Sequence, residues 1–149
     1  MLDITFTNST KHKAFSGSFF KKIILIATKE TGLEKKQVGL SVNLVGKAKI
    51  RALNKKYRNK DKATDVLSFP LSTGKDVKNK GNAILELGDI FICPNVAVHK
   101  AREHQNTLKD EMKFLIVHGF LHLLGHDHEQ SVAEKKKMFS LQDKILNKI

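Results

Sequence analysis

Four of the seven histidines in this chain lie within eleven residues, at His118, His122, His126 and His128. Two histidines four positions apart on a helix share a face and are separated by about 6 Å along its axis, so both imidazoles can bind one ion. A continued helix would carry His126 about 12 Å from His118. This is too far for zinc, which lies roughly 2 Å from each ligating nitrogen. The pattern therefore predicts a helix that ends after His122 and a chain that folds back to supply a third ligand.

Gly125 allows this fold-back, because glycine readily adopts the left-handed conformation that ends many helices. The spacing favours His128 over His126 as the third ligand. Three histidines and the glycine occupy the ligand and turn positions of the metzincin motif H-E-x-x-H-x-x-G-x-x-H, namely His118, His122, Gly125 and His128. Three protein ligands leave a fourth position open for water, as in catalytic rather than structural zinc sites.

Gly119 occupies the position at which that motif has the glutamate general base. The site is therefore expected to hold a metal and a water but to lack the base of the zinc peptidases. Two neighbouring residues keep open roles. His126 is expected to lie beside the ligands or at the surface rather than to bind the metal. Asp127 either accepts a hydrogen bond from a ligating imidazole or lies in a solvated loop.

The size and composition indicate one globular domain over residues 1–149, since 40 % of the 149 residues are hydrophobic and 28 % are charged. The longest apolar stretches, Ile23–Ala27 and Phe114–Val117, are far shorter than the roughly 20 residues that cross a membrane. The N-terminus lacks the pattern of a secretory signal, so we expect a cytoplasmic protein. Cys93 is the only cysteine, which excludes an internal disulfide and leaves histidines as the metal ligands.

The chain is strongly basic, with 27 lysines and arginines against 15 acids and a formal charge of +12. Much of this excess lies within sixteen residues that contain one acid, Asp61: Lys47, Lys49, Arg51, Lys55, Lys56, Arg58, Lys60 and Lys62. We call these eight residues the basic stripe. It either follows the phosphates of a nucleic acid or forms a solvated helix face. Without tryptophan and with one tyrosine, the chain shows no evident base-stacking platform.

Apolar periodicity and turn residues predict an α+β fold with a small mixed sheet packed by helices and with the metal site on a central, buried helix. Strands are expected near residues 2–6, 38–45, 65–70 and 84–93, with a bulge at Gly88 and a polar loop over Leu71–Asn82. Helices are expected near 14–31, 47–57, 94–103 and 107–124. A final helix should follow Ser131, which, like Thr107, begins a capping-box pattern.

The residues carry a resemblance to the YbeY family of bacterial ribosomal-RNA maturation factors. Besides the run from His118 to His128, the matching motifs are Leu53-Asn54, Tyr57-Arg58 with Asp61, Thr64 to Pro70, and Gly88-Asp89-Ile90. The family usually has an aromatic residue at the position of His126. The resemblance covers most of the chain.

The resemblance implies a zinc-dependent, single-strand-specific endoribonuclease that acts on ribosomal RNA of the small ribosomal subunit, in maturation of the 16S 3′ end and in ribosome quality control. It implies one Zn²⁺ held by His118, His122 and His128, with Arg58 as the catalytic arginine of the cleft. Arg58 can donate paired hydrogen bonds to a phosphate and stabilise charge in the transition state. No DNA or membrane partner is expected. The nucleophile is either a metal-activated water or the RNA 2′-hydroxyl.

Two alternative functions remain at this point. One is a zinc metalloprotease, which the metzincin-like spacing favours and Gly119 disfavours. The other is a non-catalytic, ribosome-associated RNA-binding factor whose zinc is structural. Structural zinc sites are usually closed by four protein ligands, so participation of His126 would favour this alternative.

Overall fold

The computed structural model describes residues 1–71 and 84–149. These parts contain four strands and five helices. The strands are β1 (Leu2–Asn8), β2 (Val38–Leu44), β3 (Val66–Pro70) and β4 (Leu85–Ile92). The helices are α1 (Gly17–Glu30), α2 (Lys47–Arg58), α3 (Pro94–Glu103), α4 (Leu108–Leu123) and α5 (Val132–Leu146). Each of these elements was predicted, with ends that differ by a few residues at most. The predicted loop over Leu71–Asn82 lies outside the described residues, apart from Leu71.

The strands form one mixed sheet in the order β1-β2-β4-β3. β1, β2 and β4 run parallel, and β3 pairs antiparallel with β4 at one edge. The pairing of β2 with β4 shifts register between Gly39 and Ser41, because β4 uses one residue more than β2 between these pairs. Gly88 lies in this segment with a φ of +133°. The predicted α+β class, mixed sheet and bulge are therefore confirmed.

The edge strand β3 presents part of its backbone away from the sheet. The N–H of Cys93 donates to the carbonyl of Asp65, and the N–H of Leu71 donates to the carbonyl of Leu87. In an antiparallel pair the bonded residues alternate, so the backbone of Ser68 faces the free edge rather than β4. The carbonyl of Ser68 is therefore available to side chains from outside the sheet.

Helix α4 is the central helix of the fold. It packs against α1, α3 and α5 and against strands β3 and β4. Its apolar residues are almost all buried, and they join the main core with side chains from β2, β4 and α1. Helix α2 packs through a separate cluster of buried residues, which is formed by Val45, Ile50, Leu67 and Cys93. The central, buried helix predicted for the histidine motif is confirmed.

No helix within residues 1–71 and 84–149 is both long and apolar enough to cross a membrane.

Candidate metal centre and nucleic-acid cleft

The chain folds back directly after α4. Gly125 has a φ of +93°, its N–H donates to the carbonyl of His122, and the N–H of His126 donates to the carbonyl of Leu121. These two bonds form a Schellman motif, in which a left-handed residue ends the helix and satisfies its last carbonyls. The predicted role of Gly125 is confirmed, and the turn directs the following segment toward the face of α4 that carries His118.

Three imidazoles meet at this turn. His118, His122 and His128 each offer one ring nitrogen, and these atoms all lie within 4.8 Å of one another. The Nε2 atoms of His118 and His122 are 3.0 Å apart. Within the described parts of the chain, His126 is not a member of this group. The geometry thus brings together the three histidines that the sequence selected, and residues 1–71 and 84–149 add no fourth protein ligand to them.

Gln142 orients His118 from helix α5. Its side-chain amide is only 1 % exposed, and its Oε1 lies 3.0 Å from Nδ1 of His118, so it can accept the proton of that nitrogen. Nε2 of His118 is then left with a lone pair that faces the other histidines. The sequence analysis missed this residue. A sequence pattern could have indicated it: Gln142 is the one polar residue on the helical face that buries Met138 and Ile145.

The donor set fits a divalent cation. Burial lowers the pKa of His118 and lowers the pKa of His122 to about 4, helped by the nearby histidines, so both rings are neutral at neutral pH. Nδ1 of His128 is buried and has no hydrogen-bond partner among the described residues. A buried, unpaired nitrogen costs free energy that a bound cation would offset. Neutral imidazoles are ligands that zinc and other late transition metals favour.

Arg58 lines the same cleft as the three histidines, and this cleft has a volume of about 550 Å³. Its Nη2 donates to the carbonyl of Ser68 at 2.8 Å, which is the carbonyl on the free edge of β3. The guanidinium is also 5.8 Å from the ring of Phe69. These contacts hold a cation at the last residue of α2, beside the histidine group.

The basic stripe is divided by the fold. Arg51 and Lys55 pair with the single acid of the stretch, Asp61, at 2.8 and 3.9 Å. Lys60 and Lys62 instead line the cleft together with Arg58. The stripe is therefore neither one continuous binding surface nor only a solvated face, since part of it surrounds the candidate site.

Asp127 has a local role. Its Oδ1 accepts the N–H of Glu129 at 2.8 Å, so the carboxylate holds the loop that carries His128. His126 also lines the cleft, and burial lowers its pKa. Among the described residues, the hydrogen bond of Asp127 is therefore formed within its own loop and not with a ligating imidazole.

Gly119 packs tightly against the sheet. A Cβ atom at this position would lie 3.0 Å from Cγ2 of Ile90 and 3.1 Å from Oγ of Ser68, and both neighbours are buried. The hydroxyl of Ser68 also donates to the carbonyl of Gly119. A glutamate at the position of the metzincin base would therefore require these buried neighbours to shift by a few tenths of an ångström, which disfavours that residue here.

Comparison with known proteins agrees with this geometry. The family model described as Endoribonuclease YbeY matches residues 3–149. Among curated relatives, an Endoribonuclease YbeY from Oenococcus oeni is 48 % identical over 112 residues, which cover 75 % of this chain and 72 % of the relative. Another from Mesoplasma florum is 37 % identical over 152 residues, with 100 % of this chain and 89 % of the relative covered.

A solved structure is similar over almost the whole chain. The solution structure of a Thermotoga maritima protein matches with a TM-score of 0.64 and 30 % sequence identity. The match covers 98 % of this chain and 87 % of the other.

Proposed function

The chain belongs to the Endoribonuclease YbeY family, and on this premise we propose that it is a zinc-dependent endoribonuclease that cleaves single-stranded ribosomal RNA. The observation that carries the proposal is the presence of three convergent imidazoles and Arg58 in one cleft. We assign the whole of residues 1–149 to one metal-dependent hydrolase domain. The proposed substrate, RNA of the small ribosomal subunit in maturation and quality control, implies a cytoplasmic location.

We propose His118, His122 and His128 as the ligands of one Zn²⁺. Zinc bound by three histidines supplies Lewis acidity and can lower the pKa of water to near 7. The protein contributes the orientation of the ligands: Gln142 fixes His118, and the Gly125 turn brings in His128. Without a base at Gly119, the chain relies on the metal and on the substrate for activation of the nucleophile.

Arg58 is proposed as the catalytic residue that binds the scissile phosphate. Its guanidinium uses Nη2 on the carbonyl of Ser68, which leaves other N–H groups of the fork available for phosphate oxygens. Because the cleft also contains Lys60 and Lys62, the flanking phosphates of the strand meet positive charge. The anchored guanidinium is held in place before the substrate arrives, and such preorganisation is what stabilises charge in a transition state.

RNA cleavage by matched variants tests the proposal. Loss of a preorganised donor typically lowers the rate by about 10²–10³-fold, so Arg58→Ala should fall in this range. Arg51→Ala removes an equal charge from the same helix, but Arg51 pairs with Asp61 outside the cleft, and this control should retain most of the activity. His118→Ala should lose both zinc and cleavage. Equal cleavage by the wild type, Arg58→Ala and His118→Ala would refute the assignment.

A further inference from the structure

The one tyrosine of the chain is an exposed aromatic residue that directly precedes Arg58, which lines the cleft. Tyr57 lies in the last turn of α2, directly before Arg58, and is 56 % exposed. Large apolar rings in a helix that packs on a sheet usually face the core. Tyr57 instead contacts only the ring of Phe69 among the described aromatic residues and leaves much of its surface to solvent.

The ring is held in a fixed position. Tyr57 meets Phe69 edge to face with a centroid distance of 5.2 Å, and Phe69 meets Phe91 in the same way at 5.7 Å. Ser68 and Pro70 line the cleft, whereas the side chain of Phe69, between them on β3, lies on the other face of the strand, against the cluster that α2 covers. Tyr57 therefore lies on the α2 side of this edge strand. A rigid ring loses little conformational freedom on binding, which makes it a low-cost platform for another flat group.

Positive charge surrounds this ring. Nζ of Lys56 lies 5.2 Å from its centroid, and Arg58 follows it in sequence. The acid nearest in sequence, Asp61, pairs with Arg51 and Lys55, and among the described residues no carboxylate lies within 4.0 Å of Lys56. An exposed aromatic ring flanked by cations that lack acidic partners is the combination that binds single-stranded nucleic acids, by stacking and by phosphate contacts.

We propose that Tyr57 and Lys56 form a nucleotide subsite on the α2 side of β3, next to Arg58. An unpaired base stacks on the open surface of Tyr57, and Lys56 binds an adjacent phosphate. The subsite rests on the proposed function, because its occupant is a part of the same RNA strand whose scissile phosphate binds Arg58. Bases within a duplex are already stacked and are not available to Tyr57. The subsite therefore selects single-stranded over double-stranded RNA.

The composition offers a direct probe of this contact. The chain has one tyrosine and no tryptophan, so its intrinsic ultraviolet emission comes almost wholly from Tyr57. Titration of the full-length protein with a short single-stranded oligoribonucleotide should quench this emission. A chelator keeps the oligonucleotide intact, which a gel verifies. An abasic oligonucleotide of the same length retains the phosphates and should bind with little quenching.

Affinity measurements on variants separate stacking from charge. Tyr57→Leu keeps an apolar side chain against Phe69 but removes the aromatic face, and it should weaken binding by about 5- to 150-fold. Its salt dependence should not change, since stacking releases no counterions. Lys56→Ala should instead reduce the slope of log affinity against log salt by about 0.7. Tyr57→Phe should bind like the wild type.

A control and two outcomes make the test decisive. Leu25→Ala alters an apolar residue of α1 that is 48 % exposed, and it should not change RNA affinity. If Tyr57→Leu binds and discriminates single strands like the wild type while Arg58→Ala abolishes cleavage, the subsite is refuted and the proposed function stands. If the wild type binds neither oligonucleotide, the proposed function and the subsite both fail.

Discussion

Replacement of Gln142 by leucine should weaken zinc binding without removing a ligand. Gln142 is buried, and its Oε1 is the acceptor for Nδ1 of His118 at 3.0 Å. With leucine, the N–H of that imidazole stays buried without an acceptor, which costs about 1–3 kcal/mol in the folded protein. Zinc polarises the ring and strengthens the same hydrogen bond, so the loss is larger in the zinc-bound state than in the free state.

The difference between the losses in the zinc-bound and zinc-free states sets the change in zinc affinity. Removal of an outer hydrogen-bond partner of a ligating histidine typically reduces metal affinity by about 10–100-fold. At about 1.4 kcal/mol for each factor of ten, this corresponds to about 1.4–2.8 kcal/mol. Gln142→Glu keeps an acceptor in place and should bind zinc at least as tightly as the wild type.

The assay is competition of full-length protein with a chromogenic zinc chelator, with thermal unfolding measured in parallel. Met138→Ala provides a packing control, because Met138 is a fully buried apolar residue of the same helix. This variant should lose stability but retain zinc affinity within about twofold. A folded Gln142→Leu protein with wild-type zinc affinity would show that the amide does not orient His118.

Three further predictions concern the fold. Gly88→Ala should destabilise the protein by about 2–5 kcal/mol in urea unfolding, because its φ is +133° and a Cβ would clash with the carbonyl of Phe69. Glu30→Gln should lower the melting temperature at pH 7, because the hydrogen bond from Lys148 lowers the pKa of this carboxyl from 4.5. This difference should shrink below pH 4.5 and vanish as the folded-state carboxyl becomes protonated. Gly119→Glu should destabilise the fold and give no casein cleavage.

Local patterns predicted the secondary structure well where a residue type defines an end. Helix α3 was predicted to begin at Pro94, because proline suits the first helical position, and the structure agrees. Helix α1 was predicted from Ala14, but it begins at Gly17, because the hydroxyl of Ser16 caps it by accepting the N–H of Phe19. Apolar periodicity continued past this cap and could not locate it.

The convergence of the three histidines could also be predicted, since it depends on helical spacing and on one left-handed glycine within a short segment. The residues that support them could not. Gln142 contacts His118 across 24 positions, and the carbonyl that anchors Arg58 lies on another element, at Ser68. Such contacts depend on how helices and strands pack, and no short-range pattern encodes this. For the same reason, the sequence does not show which cations of the basic stripe pair with an acid. In the structure, Asp61 pairs with Arg51 and Lys55.

Gly119 occupies the position of the glutamate base in the metzincin motif, and the structure gives a reason for the glycine. From spacing alone, the missing glutamate could be a lost catalytic group in an otherwise peptidase-like site. The structure gives a steric reason instead: helix α4 approaches the sheet so closely at this position that a side chain would require Ile90 and Ser68 to shift by a few tenths of an ångström. The same close approach lets Ser68 bond to the carbonyl of Gly119 while its own carbonyl, on the free edge of β3, anchors Arg58. A side chain at 119 would therefore press on Ser68, the residue whose carbonyl anchors Arg58, so the glycine at this position and the placement of Arg58 are coupled in this fold.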